Sequence, residues 1–368
     1  MSTLKVDAIR HNSATSDAIT TAADGTCTAK LTSIGGGGLS HRNLIINGDF
    51  QVAQRASSSN NNGYTSVDRW KIESSNITHN STKSQQSLSS SDTPYTLGFR
   101  RFARIALAQA GVVAANSYVE FHHKMEAQNV SNSGWNYNST SSFITLQFWF
   151  RCSTNQTFYA WVTSTDGTNK RFTFSFTASG NNAWTKVTKT IPGASGIQID
   201  NDFGEGFNVV IAPFYGTDYT GSVSLDTWVT KNDATHSPDY ASTWLTAGAS
   251  TFDITGVQLE VGDTATTFEH RSFHDELLRC QRYYAEAGVV LADGTPHRYH
   301  NNVSLPVEMR AIPTRTVLHV DSGSGGNMYP NWGRSGGSPT NASSKRQFYQ
   351  GSNNSAISSA YIAFNAEI

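Results

Sequence analysis

The sequence predicts an all-β protein built around an antiparallel sandwich, and three observations lead there. Apolar and polar residues alternate with period two over several short runs. Stretches rich in Asn, Gly and Ser separate the runs. Aromatic residues make up 11% of the chain, with eight Trp, too many for a disordered spacer. Short alternating strands divided by turn-forming residues are the pattern of a sandwich or barrel.

Each element follows from its own run. Ile144, Leu146, Phe148 and Phe150 alternate with Thr145, Gln147, Trp149 and Arg151. Phe172, Phe174 and Phe176 alternate with Arg171, Thr173 and Ser175, and Val119, Phe121, His123 and Met125 mark another strand. Val223, Leu225, Thr227 and Val229 alternate with Ser224, Asp226, Trp228 and Thr230. Since side chains of a strand point alternately to its two faces, each run has one core face and one outer face. The polar stretches 57–63 and 76–93 read as surface loops. Between Phe273 and Tyr284 the period becomes helical: Phe273, Leu277 and Tyr284 share a face, with Asp275 and Glu276 early and Arg279 and Arg282 late, as the helix dipole favours. Val303, Leu305 and Val307 then resume the alternation, and Ala360, Ile362, Phe364, Ala366 and Ile368 predict a last strand tied into a core.

Residues 1–42 differ from the rest. They are small and polar, repeat Asp7-Ala8-Ile9 as Asp17-Ala18-Ile19, and end in the glycine run Gly35 to Gly38. Widely spaced Ile and Leu build no core within one chain, but three copies around a shared axis could bury them, with the glycines as a flexible joint. Three parts result: an N-terminal attachment and trimerising segment at 1–42, a sandwich at 43–272, and a smaller C-terminal β domain at 273–368.

Composition narrows the partners. The chain has 368 residues, a formal net charge of −1 and 15% charged residues, so no basic field is available to nucleic acid. A weakly charged Ser/Thr/Asn/Gly-rich surface suits neutral hydrogen-bonding partners such as glycans, or further copies of the chain. Cys27, Cys152 and Cys280 stand far apart without metal-type spacing, which predicts reduced thiols rather than a disulfide framework. No apolar run approaches the roughly 20 residues of a membrane span, and no secretory leader is expected.

Several segments resemble proteins of bacteriophage fibres. Asn43-Leu44-Ile45-Ile46-Asn47-Gly48-Asp49-Phe50, followed by Asp68-Arg69-Trp70, is similar to the opening of a jelly-roll module in phage fibres and in carbohydrate-binding modules. Phe252-Asp253-Ile254-Thr255-Gly256-Val257-Gln258-Leu259-Glu260 resembles its closing strand. Phe268-Glu269-His270-Arg271-Ser272 with Cys280-Gln281-Arg282-Tyr283-Tyr284 resembles a junction in fibres of aquatic phages, and the segment 305–314 the start of their C-terminal domain. The resemblance implies a jelly-roll sandwich in a virion component, commonly a homotrimer and often receptor-binding. It further implies assembly in the host bacterial cytoplasm, attachment to other tail or capsid proteins through residues 1–42, and a host-surface glycan as partner. Related carbohydrate modules often hold a structural calcium with an Asp pair where this chain has Thr255 and Gly256, so no metal is expected there. Asp200-Asn201-Asp202 with Glu205 is an oxygen-rich alternative.

For glycan binding the useful residues are outer-face aromatics with polar neighbours, because sugar C–H groups stack on rings while hydroxyls need hydrogen bonds. Trp149 with Gln147 and Arg151, Trp228 with Asp226, and Tyr159 with Trp161 are the candidate sets. The competing structural reading packs these rings under loops or against neighbouring subunits. Trp70 reads as core, with Asp68 and Arg69 pairing locally. Catalytic signals are poor: His122 and His123 point to opposite faces, no acid pair is singled out among Glu120, Asp226, Asp253 and Glu260, and no nucleophile elbow, phosphate loop or cofactor fingerprint occurs. A non-enzymatic adhesive fibre is therefore expected. A capsid-decorating protein without receptor role and a glycan-degrading spike are the alternatives.

Overall fold

The computed structural model describes residues 6–10, 12–13, 15–23, 27–29, 42–77, 81–178, 182–290, 299–322, 347–352 and 357–368. The glycine run Gly35 to Gly38 lies outside them. Strands β1 (Ala8–Ile9), β2 (Ile19–Thr21) and β3 (Cys27–Ala29) form an antiparallel meander. The repeated Asp-Ala-Ile pairs with itself: Ile9 lies opposite Ile19, and Arg10 meets Asp17 at 3.6 Å.

The body is an antiparallel jelly-roll-like sandwich. Its elements are β4 (Ser58–Ser59), β5 (Trp70–Ser75), β6 (Ser81–Ser87), α1 (Thr93–Thr96), β7 (Arg101–Leu107), β8 (Tyr118–Glu126), α2 (Ala127–Ser131), β9 (Phe143–Cys152) and β10 (Thr157–Ser164). There follow β11 (Lys170–Thr177), β12 (Thr185–Pro192), β13 (Glu205–Tyr215), β14 (Trp228–Thr230), α3 (Thr243–Thr246) and β15 (Ser250–Val261). They make two six-stranded sheets: a first in the order β14-β11-β10-β13-β8-β5 and a second in the order β12-β9-β15-β7-β6-β4. The apolar halves of the alternating runs meet between them, as expected. Phe176 of β11 sets its edge against Phe148 and Phe150 of β9, with centroids 5.3 and 4.9 Å apart. Each such fully buried side chain contributes about 1.5–3 kcal/mol of transfer free energy.

The opening motif works through Asn47. Its backbone takes a left-handed turn at φ 58°, which Asn tolerates. Its buried side chain then donates to the carbonyls of Val52 and Asp68 and accepts from the Val52 amide. Its own carbonyl receives the Trp70 indole N–H at 3.0 Å. Gly48 lies so close to the Val257 carbonyl, 2.0 Å from where a Cβ would sit, that only glycine fits. The irregular opening motif and the closing strand β15 are locked together at this point, where the Val257 amide donates to the Gly48 carbonyl. Trp70 is core, as expected, but Asp68 and Arg69 do not pair with each other. Asp68 holds Gln54 and Arg55, whereas Arg69 reaches Glu367 and the Lys124 carbonyl.

Further expectations need correction. The stretch 76–93, read as a surface loop, contains the strand β6, which pairs with β7 and buries Ser81, Lys83 and Ser84. Its side chains are polar because they are satisfied inside the chain, Lys83 donating to Asn60 and Asn62, so no apolar alternation marks it. The run 223–230 is a strand only over its last three residues, because Asp226 turns the chain at φ 62°. The helix α4 (Phe273–Gln281) is capped by Ser272, whose hydroxyl accepts from the Asp275 amide. Its buried face is Glu276 and Cys280, while Phe273 is 58% exposed. Glu276 is drawn inward because its carboxylate takes the Asn47 amide and pairs with Arg271.

Beyond the helix run β16 (Tyr284–Val290), β17 (Tyr299–Ser304), β18 (Thr314–Ser322), β19 (Gln347–Ser352) and β20 (Ile357–Asn365). They form a three-stranded sheet β16-β20-β18 and a β17-β19 pair. Ala285, Leu305, Met309, Ile362, Phe364 and Ala366 make a small separate core. Ile368 leaves it and packs with Ile46, Val52 and Tyr283 against the sandwich. Arg282 and Tyr283 both bind Glu126, which ties this region to the end of β8.

Candidate functional site

Gln147, Trp149 and Arg151 share the outer face of β9, as their alternation requires. The polar ends of Gln147 and Arg151 are committed within the chain. The Gln147 amide donates to the Thr266 carbonyl at 2.7 Å. Arg151 pairs with Asp92 and Asp253, and its guanidinium lies 4.6 Å over the Trp184 ring. Trp149 is half-buried in a satellite cluster with Leu88, Phe99, Phe102, Tyr95, Trp184 and Phe268. These groups fasten the segments 88–100 and 263–270 over the second sheet.

Trp228 and Asp226 are not side by side. The Trp228 ring reaches the main core against Phe172 and donates its N–H to the Pro192 carbonyl at 2.7 Å. Asp226 is exposed and pairs with Lys189 at 2.6 Å.

Tyr159 and Trp161 lie together on the outer face of the first sheet. They are 9% and 2% exposed, so they form a floor rather than a stacking platform. The segments 216–221 and 231–240, on either side of β14, lie on them, the second held by hydrogen bonds from Thr173 to the His236 carbonyl and from Arg171 to the Asn232 carbonyl. The His236 and Tyr215 rings sit 5.4 and 5.3 Å from Trp161. Half-buried Tyr118 and Tyr219 extend this aromatic group past Tyr215, 5.6 and 5.8 Å from its ring.

Cross-strand register sets polar groups around that floor. Trp161 faces Val210 and Val210 faces His122; one pleat along, Arg171 faces Thr163, which faces Asn208. At about 4.8 Å per strand and about 3.4 Å per residue, Arg171 and His122 stand roughly 16 Å apart across the sheet. His122 Nε2, Arg171 Nε, Asn208 Oδ1 and His236 Nδ1 are all buried, and none has a hydrogen-bond partner among the described residues. Buried polar atoms are normally paired, by protein or by water, and these four lie along one face of the first sheet.

Charges on this face are tuned by burial. Burial pushes the Glu120 carboxyl up, but bonds from His122 and Tyr215 outweigh it and hold the group below its usual range. Burial, helped by the Arg171 charge, lowers His236 to about 4, so the ring is neutral at pH 7. No group of three or more His, Cys, Asp or Glu able to hold a metal occurs among the described residues. In the loop 200–205, Asp202 accepts from the Gly204 amide, and the Asn201 side chain accepts from Asn132. Among the same residues no helix is long and apolar enough to cross a membrane.

Sequence reasoning located Tyr159 and Trp161 but not His236, Asn208, Arg171, Tyr118, Tyr215 or Tyr219 as members of this site. Alternation puts Tyr118 of β8, Arg171 of β11 and Asn208 of β13 on outer faces, the register shift of β13 between Ile211 and Phe214 turns Tyr215 to the same side, and His236 and Tyr219 come from the connecting segments. Only the strand order brings them together.

No protein-family model matches the chain, and no curated protein sequence matches it. Solved structures with a similar arrangement include the enzymatically active domain of tailspike protein 4 of bacteriophage CBA120, at 10% identity and TM-score 0.30. That match covers 60% of this chain and 21% of the tailspike chain, so this protein spans about a fifth of its length. A CBM4 structure matches at 13% identity and TM-score 0.30, covering 59% of this chain and 99% of its own. TmCBM61, solved with β-1,4-galactotriose, matches at 8% identity and TM-score 0.30, covering 61% and 99%. The likeness is one of fold alone.

Proposed function

We propose that the chain is a non-enzymatic structural component of a bacteriophage particle that attaches to host-surface glycans through the outer face of the first sheet. The observation that carries the glycan reading is the set of unpartnered polar atoms of His122, Arg171, Asn208 and His236 around the Trp161 and Tyr215 floor. Hydroxyl-rich ligands supply the donors and acceptors such atoms lack, and ring C–H groups suit the tyrosines beside them. The order of the fibre-like motifs along one chain supports the virion placement, with residues 1–42 as attachment to other virion proteins. A homotrimer is part of the reading: three weak sites engaging together give useful avidity, and Ile9 of the thin N-terminal meander is 51% exposed. Light scattering at about three chain masses supports that state, and a mass near one chain removes it.

Adsorption interference tests the function. Purified protein mixed with susceptible cells before phage is added should bind the cells and reduce adsorption. Asn208→Ala and His122→Ala should each weaken cell binding about tenfold, the worth of one buried hydrogen bond to ligand. Trp149→Ala should leave it unchanged if the protein stays folded. Folded protein that neither binds nor interferes would favour the capsid-decorating role, and release of reducing sugar ends would favour the spike.

A further inference from the structure

The tip of the loop over Trp161 carries an ion cluster that the binding face alone does not explain. Asp233 is exposed, with 72% of its side chain in solvent, yet three cationic or ionisable groups converge on it. Lys231 Nζ lies 3.0 Å from its carboxylate, Arg171 Nη2 3.6 Å, and His236 Nε2 3.9 Å. Only the lysine is within hydrogen-bond reach. Arg171 is 2% exposed, its Nε has no partner, and its Nη1 is occupied by the Asn232 carbonyl. A guanidinium sunk into a sheet face at that cost is normally matched by a bidentate carboxylate or phosphate, which Asp233 does not supply. The other acids of this face are engaged elsewhere. Glu120 takes the Tyr215 hydroxyl and stands 3.6 Å from His122, and Asp239 accepts from Thr220 at 2.5 Å.

We infer that Asp233 is a place-holder for the carboxylate of an acidic sugar, so that the site bounded by Arg171, Lys231 and His236 selects glycans bearing uronic or other carboxylated residues. The inference rests on the glycan reading above and adds the ligand class. When such a sugar arrives, its carboxylate replaces Asp233 against Arg171 Nη2 and Nε, while the sugar ring lies on the solvent side of His236. The loop carboxylate, already largely in water, moves out at little desolvation cost. A neutral glycan cannot make this exchange, because it leaves the Asp233 pairing in place.

The test uses the whole chain and two probes: an oligogalacturonate, and the same oligomer with its carboxyl groups reduced to the neutral galactose form. Calorimetry should give about tenfold tighter binding of the acidic probe, a preference that fades with added salt. Asp233→Asn, an exposed substitution that should fold normally, should tighten the acidic probe several-fold and leave the neutral one unchanged. Arg171→Gln should abolish the preference. Equal binding of both probes, unmoved by Asp233→Asn, overturns the acidic selection and leaves the glycan site standing. Binding of neither probe to folded protein overturns both readings for this sugar backbone, and a weaker acidic probe in Asp233→Asn makes Asp233 a ligand-contacting residue instead.

Discussion

His236 shows how one residue joins site and stability. Burial first and the Arg171 charge second lower its ring to about 4, against 6.5 for a free histidine, with Asp233 opposing. Between those values the unfolded chain takes a proton that the folded chain refuses, so stability falls as pH drops from 6.5 toward 4. His123, buried in the core beside Trp70, is also lowered and acts in the same direction. Asp49 and Asp68 act the other way. Burial raises both from 3.8 to about 6, so the folded chain is protonated first and gains stability as pH falls through that window. The prediction is relative: His236→Gln should lose less stability than the wild type between pH 7 and pH 4.5, read as the shift in urea midpoint. Parallel profiles would show that the ring titrates alike in both states.

At the scale of elements, β15 carries the feature that lets the second sheet hold its covering segments. Its register shifts between Thr255 and Gln258, where Gly256 sits at φ +63° and a Cβ would lie 2.7 Å from Phe99. Gly256→Ala should therefore cost about 2 kcal/mol, mostly the left-handed penalty with a contribution from displacing Phe99. Gly134→Ala, at φ +88° with open space around it, should cost about 1 kcal/mol as the control. Urea denaturation of the two variants checks the difference. These elements also show what was legible. Period-two alternation gave the core faces of β9 and β11 directly, because inward side chains must be apolar whatever covers the outside. It could not say what covers an outer face. Gln147, Trp149 and Arg151 look like a binding set in sequence, yet segments about 60 to 120 residues away consume the polar ends of Gln147 and Arg151 and the Trp149 ring packs among Phe99, Trp184 and Phe268. In the same way Trp161 was visible while the loop closing over it was not, since Asp226 ends the alternation with a turn that leaves no periodic mark.

Across the whole molecule, the sandwich and the C-terminal region are joined by buried charge rather than by apolar area alone. Arg69 is fully buried, stacks at 3.4 Å over Tyr283 and pairs with Glu367, while Arg310 holds the carbonyls of Ala366 and Glu367. Removing one member of a buried pair strands the other, so Glu367→Ala should cost about 3–5 kcal/mol. Replacing Arg69 and Glu367 together with Met and Leu should recover much of that loss, and calorimetric melting would show it. This coupling is illegible in sequence because its partners lie almost 300 residues apart, and chain proximity favours the neighbouring Asp68 as the partner of Arg69. The same frame holds β8 rigid at the end where Glu126 meets Arg282, which steadies the strand that carries His122 and Glu120. The most direct test of the central claim is hydrogen exchange of the intact chain with and without a glycan it binds. The account predicts slowed exchange in peptides covering 118–124, 205–215 and 231–240 of the first sheet and its loop. Protection confined to 92–104, 147–151 and 184–190 of the second sheet would contradict it.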